Sequence, residues 1–125
     1  MIQSAPLKLL VVDDHAALRR TVRQLFEGFE VSFLEAATGE EAVKIFTAEH
    51  PDWVIMDLRM PGMGGIKATE AIRNISPLAR IIVISQFSEP EYRDQARRAG
   101  AVDFVNKEDL SQLVEIIRGE PRHQP

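Results

Sequence analysis

The sequence predicts an α/β fold: a five-stranded parallel sheet, doubly wound in the order 2-1-3-4-5, with helices on both faces as a three-layer sandwich. Three observations carry this reading. Five short apolar runs recur, at Leu9–Val12, Val31–Leu34, Trp53–Met56, Ile81–Ile84 and Val102–Val105. Most of them are nearly continuous rather than alternating, which is the pattern of strands covered on both faces. Segments with helical spacing separate them, and repeated strand–helix alternation implies right-handed crossovers between parallel strands.

Each helix has its own signature. After the first run, Leu18, Val22, Leu25 and Phe26 form an i, i+4, i+7, i+8 stripe. After the second, Thr38 and Glu41 fit the S/T-x-x-E capping box that opens a helix. Gly62, Gly64 and Gly65 follow the third run; no Gly-Lys-Ser/Thr comes after them, so they read as a flexible loop rather than a phosphate cradle. After the fourth, Ser88 with Glu91 repeats the capping box and Pro90 falls in the first turn, where a missing N–H costs little. Tyr92, Ala96 and Ala99 give this fourth helix a small-residue stripe, so it should pack loosely and be the mobile one. Arg97 and Arg98 before Gly100 mark its C-terminal end. Last, Asp109 with Gln112 resembles a cap ahead of the stripe Leu110, Leu113, Val114, Ile117, with Ile116 exposed beside it.

Composition bounds the class. With 125 residues, 45% hydrophobic and 27% charged, the chain suits one domain, expected over 1–118, followed by a frayed polar tail or the start of a linker at 119–125. The absence of cysteine excludes disulfides, thiolate metal sites and cysteine nucleophiles. No apolar stretch approaches the roughly 20 residues of a membrane helix. The formal net charge of −4 is a poor match for nucleic acid. A soluble cytoplasmic domain, bound to neither membrane nor DNA, is expected.

Sheets of this kind place their site beyond the carboxyl ends of the strands, at the point where the strand order reverses. There the chain offers Asp13 and Asp14 after the first run, Asp57 after the third, Ser85 after the fourth, and Asn106-Lys107 after the fifth. Taken singly, each has an ordinary reading as a helix cap, a turn residue or a solvated cation. Together they are harder to dismiss, because gathered carboxylates repel and raise one another's pKa unless a cation joins them. An oxygen-only donor set points to a hard ion, Mg²⁺ ahead of Ca²⁺ or Zn²⁺.

These residues resemble the receiver domain of two-component response regulators, over about Leu7 to Arg118. The matching text is Val11-Val12-Asp13-Asp14, the stretch Met56-Asp57-Leu58-Arg59-Met60-Pro61-Gly62-Met63-Gly64-Gly65, then Ile82-Val83-Ile84-Ser85 and Phe104-Val105-Asn106-Lys107. The M-D-x-x-M-P-x-x-x-G stretch is the most specific part. The resemblance implies a flavodoxin-like fold and a phosphorelay function. Asp57 would accept a phosphoryl group from a phosphohistidine on a sensor histidine kinase or a phosphotransfer protein. Asp14 would ligate Mg²⁺ directly and Asp13 through water, with Asp57 and the backbone carbonyl of Arg59 completing the protein's share. Lys107 would pair with a phosphoryl oxygen and Ser85 would hydrogen-bond another. Phe104 matches the family's aromatic switch, which turns inward when the hydroxyl moves; without the family it reads as core.

The chain departs from the commonest family pattern at three places. Glu108 follows the lysine where a proline is usual, so a trans peptide or a strained loop is expected there. Gln86 stands beside the site hydroxyl where a small residue is common, and it could gate water. Phe104 lacks the hydroxyl of a tyrosine switch. His15 reads as an exposed polar residue flanking the site, and Trp53 as packing.

Competing functions fit less well. A Mg²⁺-dependent phosphatase of similar fold needs a second Asp two residues after the nucleophile, and Arg59 stands there. A flavin binder needs a Gly/Ser/Thr-rich first loop, and Asp13-Asp14-His15 repels phosphate. The Asp-Asp-His opening, the segment Met60-Pro61-Gly62-Met63 and Gly65-Ile66, and the missing proline look like receivers of LuxR/NarL-type transcriptional regulators. Transcription control, a stand-alone role through protein contacts, and a phosphorylation-dependent homodimer all remain as outputs.

Overall fold

The computed structural model describes residues 6–119. Strands β1 (Leu7–Val12), β2 (Val31–Ala36), β3 (Trp53–Asp57), β4 (Ile81–Ser85) and β5 (Asp103–Asn106) alternate with helices α1 (Ala16–Leu25), α2 (Gly39–Glu49), α3 (Gly64–Ile75), α4 (Pro90–Ala99) and α5 (Gln112–Arg118). The strands form one parallel sheet in the order β2-β1-β3-β4-β5, as the sequence predicts. The register pairs Val12 with Met56, Asp57 with Ile84, and Ser85 with Asn106, so four strand ends share one edge.

Alternate strand residues feed two cores. Leu10, Val12, Val54, Met56, Ile81, Val83 and Phe104 face the layer containing α2, α3 and α4. Leu9, Val11, Trp53, Ile55, Ile82, Ile84 and Val105 face the layer of α1 and α5. A strand buried on both faces has no room for polar alternation, and for this reason its sequence reads as a continuous apolar run.

Local signals fared unevenly. Thr38 caps α2 as expected, its hydroxyl oxygen accepting from the Glu41 N–H at 3.1 Å, while the Glu41 carboxylate reaches back to the Ala37 N–H at 2.7 Å. Pro90 is the first residue of α4, so Glu89 occupies the cap position and the box expected at Ser88 is not the cap that opens this helix. Proline's fixed φ already starts the helix there. Asp109 lies in a 3₁₀ turn over Lys107–Asp109, and its carboxylate takes the Ser111 hydroxyl and the Gln112 side-chain amide at 2.7 and 2.8 Å, so α5 begins later than the Leu110 stripe suggests. Ile116 is half-buried against the α1/α5 core, not exposed. Among the described residues the large exposed apolar side chains are Phe29, Ile75, Leu78 and Val102, Leu78 reaching 90%. Of the tail expected at 119–125, Gly119 closes α5 in a left-handed conformation, and the rest lies outside the described residues.

The glycines after β3 answer specific demands of conformation and space. Gly62 and Gly64 hold φ of 82° and 75°, where a side chain is strained. At Gly65 the requirement is space: a Cβ there would lie 2.0 Å from the carbonyl oxygen of Asp57. The Gly65 N–H donates to the Leu58 carbonyl at 3.0 Å, drawing α3 tightly against the end of β3.

Candidate functional site

Backbone pairing positions the acidic residues. The Asp13 N–H donates to the Ala36 carbonyl at 3.1 Å, extending the ladder one residue past β1 and pointing the side chain over the sheet edge. Arg19 on α1 steadies the same residue from the other side, its Nη1 donating to the Asp13 carbonyl at 2.6 Å while its Nε holds Glu35 at 2.8 Å.

Asp13, Asp57, Ser85 and Lys107 converge as expected. Asp13 is wholly buried, Asp57 is 4% exposed and Ser85 2%. The Lys107 ammonium lies 3.0 Å from Asp13 Oδ2 and 3.0 Å from Asp57 Oδ1, ion-paired to both carboxylates. The Asp13 contact lacks hydrogen-bond geometry and leaves Oδ2, a buried oxygen, with no hydrogen-bond partner. Asp14 stands at the rim, more exposed, within reach of the His15 ring.

The electrostatics follow from this crowding. Burial, and then the charge of Asp13, push the Asp57 carboxyl up to about 6, against the opposing pull of Lys107 and of the Arg59 backbone N–H. Burial draws the Lys107 pKa down, yet its contacts with Asp13 and Asp57 outweigh that and hold it above the ordinary lysine value. One ammonium is thus shared between two buried carboxylates, leaving a net negative pocket.

His15 is exposed and flanks the site, as its position in the sequence suggests, and it also touches both acidic residues. Its backbone N–H donates to Asp13 Oδ1 at 2.8 Å, and its ring Nδ1 lies 3.2 Å from Asp13 Oδ1 and 3.3 Å from Asp14 Oδ1. Ligand atoms of Asp13, Asp14 and His15 all fall within 4.8 Å of one another. Ser85 Oγ accepts from the Phe87 N–H at 2.9 Å. An accepting hydroxyl still has its own proton to donate. Gln86 is exposed at the mouth of a cleft of about 60 Å³ that reaches Asp57, Ser85 and Lys107. Phe104 is 7% exposed, its ring already inward. No cis peptide bond occurs among the described residues, so Lys107-Glu108 is trans, and the Asn106 side chain accepts from the Glu108 N–H at 2.8 Å.

No spacing or motif points to the role of the Arg59 side chain. Its guanidinium lies 4.7 Å from the Phe87 ring centre and 5.2 Å from that of Tyr92, and donates to the Tyr92 hydroxyl at 2.7 Å. Arg59 and Tyr92 belong to different loops and helices, so no local spacing rule could pair them. The same holds for Arg19. Gly65 did have a signal, its place just after an apolar strand and a glycine-rich turn, but flexibility and close approach look alike in sequence.

A family model described as the response regulator receiver domain matches residues 9–118. This chain belongs to that family. The receiver is 40% identical over 113 residues to chemotaxis protein CheY of Thermotoga maritima, covering 88% of this chain and 93% of that one. It is 38% identical to regulatory protein AtoC of Escherichia coli over 89% of this chain and 24% of the relative, and 33% identical to response regulator GacA of Pseudomonas aeruginosa over 90% and 54%. The chain therefore spans between about a quarter and about half the length of these two curated relatives. Among solved structures, a LuxR-family two-component response regulator from Aurantimonas sp. superposes with a TM-score of 0.85 at 35% identity, covering 91% of this chain and 84% of that one. The receiver domain of the response regulator NarL from Mycobacterium tuberculosis gives 0.81 at 29% identity, over 94% of this chain and all of its own. The receiver is a phosphorelay signalling domain of the two-component type, with the 2-1-3-4-5 fold of the chemotaxis receivers.

Proposed function

We propose that this receiver accepts a phosphoryl group on Asp57 from a phosphohistidine of a sensor histidine kinase or phosphotransfer protein. The observation that carries the proposal is the buried Asp57 carboxylate ion-paired to Lys107, beside an Asp13 oxygen with no hydrogen-bond partner. A carboxylate oxygen of Asp57 attacks phosphorus; the P–N bond to the donor imidazole breaks and its electron pair stays on that nitrogen, leaving an acyl phosphate on the aspartate. Lys107 then pairs with a phosphoryl oxygen in a charge-assisted contact. Ser85 donates its hydroxyl proton to another oxygen while its Oγ continues to accept from Phe87.

The donor set fits a hard divalent cation. Asp13 Oδ2 is a buried carboxylate oxygen without a hydrogen-bond donor, in a pocket where one lysine serves two carboxylates. Asp13, Asp14, Asp57 and the Arg59 backbone carbonyl would hold Mg²⁺ through oxygen alone. Bound there, Mg²⁺ offsets the negative charge of the transferring phosphoryl group. His15 contacts the same two carboxylates and competes for them.

Phe104 is the switch residue of this reading, poised on β5 beside α4. The receiver acts as a domain over 1–118 in the cytoplasm, modifies only itself, and passes its state on through protein contacts, including a phosphorylation-dependent homodimer. It does not bind DNA directly; control of transcription would need a DNA-binding domain joined to it, and without one the receiver acts by protein contacts alone. No described helix is long and apolar enough to cross a membrane.

Treatment with acetyl phosphate and Mg²⁺ tests the assignment. Intact mass should show one phosphoryl addition that Asp57→Asn abolishes. Labelling that persists in this variant, on His15 for instance, would overturn it.

A further inference from the structure

We propose that Arg93 is the positioning residue that holds Phe104 inward, an inference that rests on reading Phe104 as the aromatic switch. Phe104 pairs with Val83 across the sheet and turns its ring into the core on the α4 side. From α4 the core around Phe104 takes the buried Ala96, with Tyr92 partly buried against it, and an alanine is too short to close over a phenyl ring. What they leave is an open groove of about 370 Å³ between α4 and β5, bordered by Arg93, Arg97, Val102, Asp103 and Phe104.

On the groove side the ring meets a cation. The Arg93 guanidinium carbon lies 4.8 Å from the Phe104 ring centre. The other two arginines of α4 are turned to Asp94, which pairs with both Arg97 and Arg98. Phe104 has no hydroxyl to anchor, so apart from apolar packing it is the ring face that can be held, and a guanidinium over that face is attracted by the ring quadrupole. The open groove offers the ring somewhere to go. Swinging out breaks the Arg93 contact, so the contact weights the balance toward the inward state.

The test uses the full 125-residue chain. Aromatic NMR resonances of Phe104, assigned by their loss in Phe104→Leu, are followed without any phosphoryl mimic in wild type, Arg93→Gln and Arg93→Lys. Arg93→Gln keeps a polar side chain but removes the guanidinium and its charge. It should lower the inward-to-outward ratio about two- to five-fold, the factor that a surface cation–π contact of roughly 0.5–1 kcal/mol represents at about 1.4 kcal/mol per tenfold. Arg93→Lys should retain most of it. Affinity for beryllofluoride should fall by a similar factor in Arg93→Gln, and not when the same change is made in Phe104→Leu. Phe104 signals that do not respond to Arg93→Gln overturn the proposal, as does an affinity loss that persists without the phenyl ring. If the ring responds but wild type binds no beryllofluoride, the Arg93 contact stands and the phosphoacceptor reading fails.

Discussion

The Arg59 guanidinium donates to the Tyr92 hydroxyl at 2.7 Å, tying the loop after β3 to the first turn of α4. Phe87 completes the contact, its ring 5.8 Å from that of Tyr92 and its N–H bonded to Ser85. The residue whose backbone faces Asp57 is therefore joined, through its own side chain, to the helix expected to move. Tyr92→Phe keeps the ring and removes only this bond. It should cost about 0.5–1.5 kcal/mol in urea denaturation, the net worth of one hydrogen bond. A variant as stable as wild type would show that the bond contributes nothing.

Mg²⁺ should stabilise the wild-type fold. A ligand specific for the native state adds about 2.7 kcal/mol at a hundred times its dissociation constant. Asp13→Asn removes one of two buried carboxylates facing a single ammonium, so it should melt higher than wild type in metal-free buffer and lose most of the Mg²⁺ response. Melting curves indifferent to millimolar Mg²⁺ would contradict the first part, and an Asp13→Asn variant no more stable than wild type in metal-free buffer would contradict the second.

Stability should carry the signature of the Asp57 carboxyl, raised from 3.8 to about 6 by burial and then by Asp13. Between those pH values the folded chain keeps a proton that the unfolded chain has lost. The folded state therefore gives up stability as pH rises through this window. Asp57→Asn has no such titration. In metal-free buffer, wild-type stability relative to Asp57→Asn should fall across the window and level off once Asp57 is fully ionised. Parallel pH profiles would refute the shift.

Gly65→Ala should destabilise the fold, because its methyl group would sit 2.0 Å from the Asp57 carbonyl oxygen. Backbone must move to admit it, at a cost of about 1–3 kcal/mol by the measure of overpacked cores. Because the displaced strand end carries Asp57, acetyl phosphate labelling should slow as well. Wild-type stability together with wild-type labelling would mean that α3 does not press on β3 in solution.

Ser85→Ala separates accepting a phosphoryl group from responding to it. The variant keeps Asp57, Lys107 and the acidic pair, so intact mass should still show labelling. In amide NMR spectra, beryllofluoride should shift α4 and β5 in wild type and leave them largely unmoved in Ser85→Ala. Equal spread in both proteins would exclude the hydroxyl from the route.

Much was legible in the sequence by itself. Doubly buried strands cannot alternate, so runs such as Ile81–Ile84 announced the sheet, and helical stripes between them fixed its parallel connections. Once the strand order was in view, Asp13, Asp57, Ser85 and Lys107 had to share an edge, because each ends a strand or follows directly on one. What only the tertiary structure decided were contacts between separate elements of the fold. Arg59 reaches Tyr92, Arg19 reaches the Asp13 carbonyl, and Arg93 reaches Phe104, each by a long flexible side chain whose direction no periodicity encodes. The packed fold also decided why Gly65 must be glycine, since the obstruction is a carbonyl eight residues earlier, brought close by the turn of α3 onto β3. It likewise decided that Pro90 rather than Ser88 opens α4, and that Ile116 packs against the core. Periodicity reports which face is apolar; which atoms meet is set by how the layers close on one another.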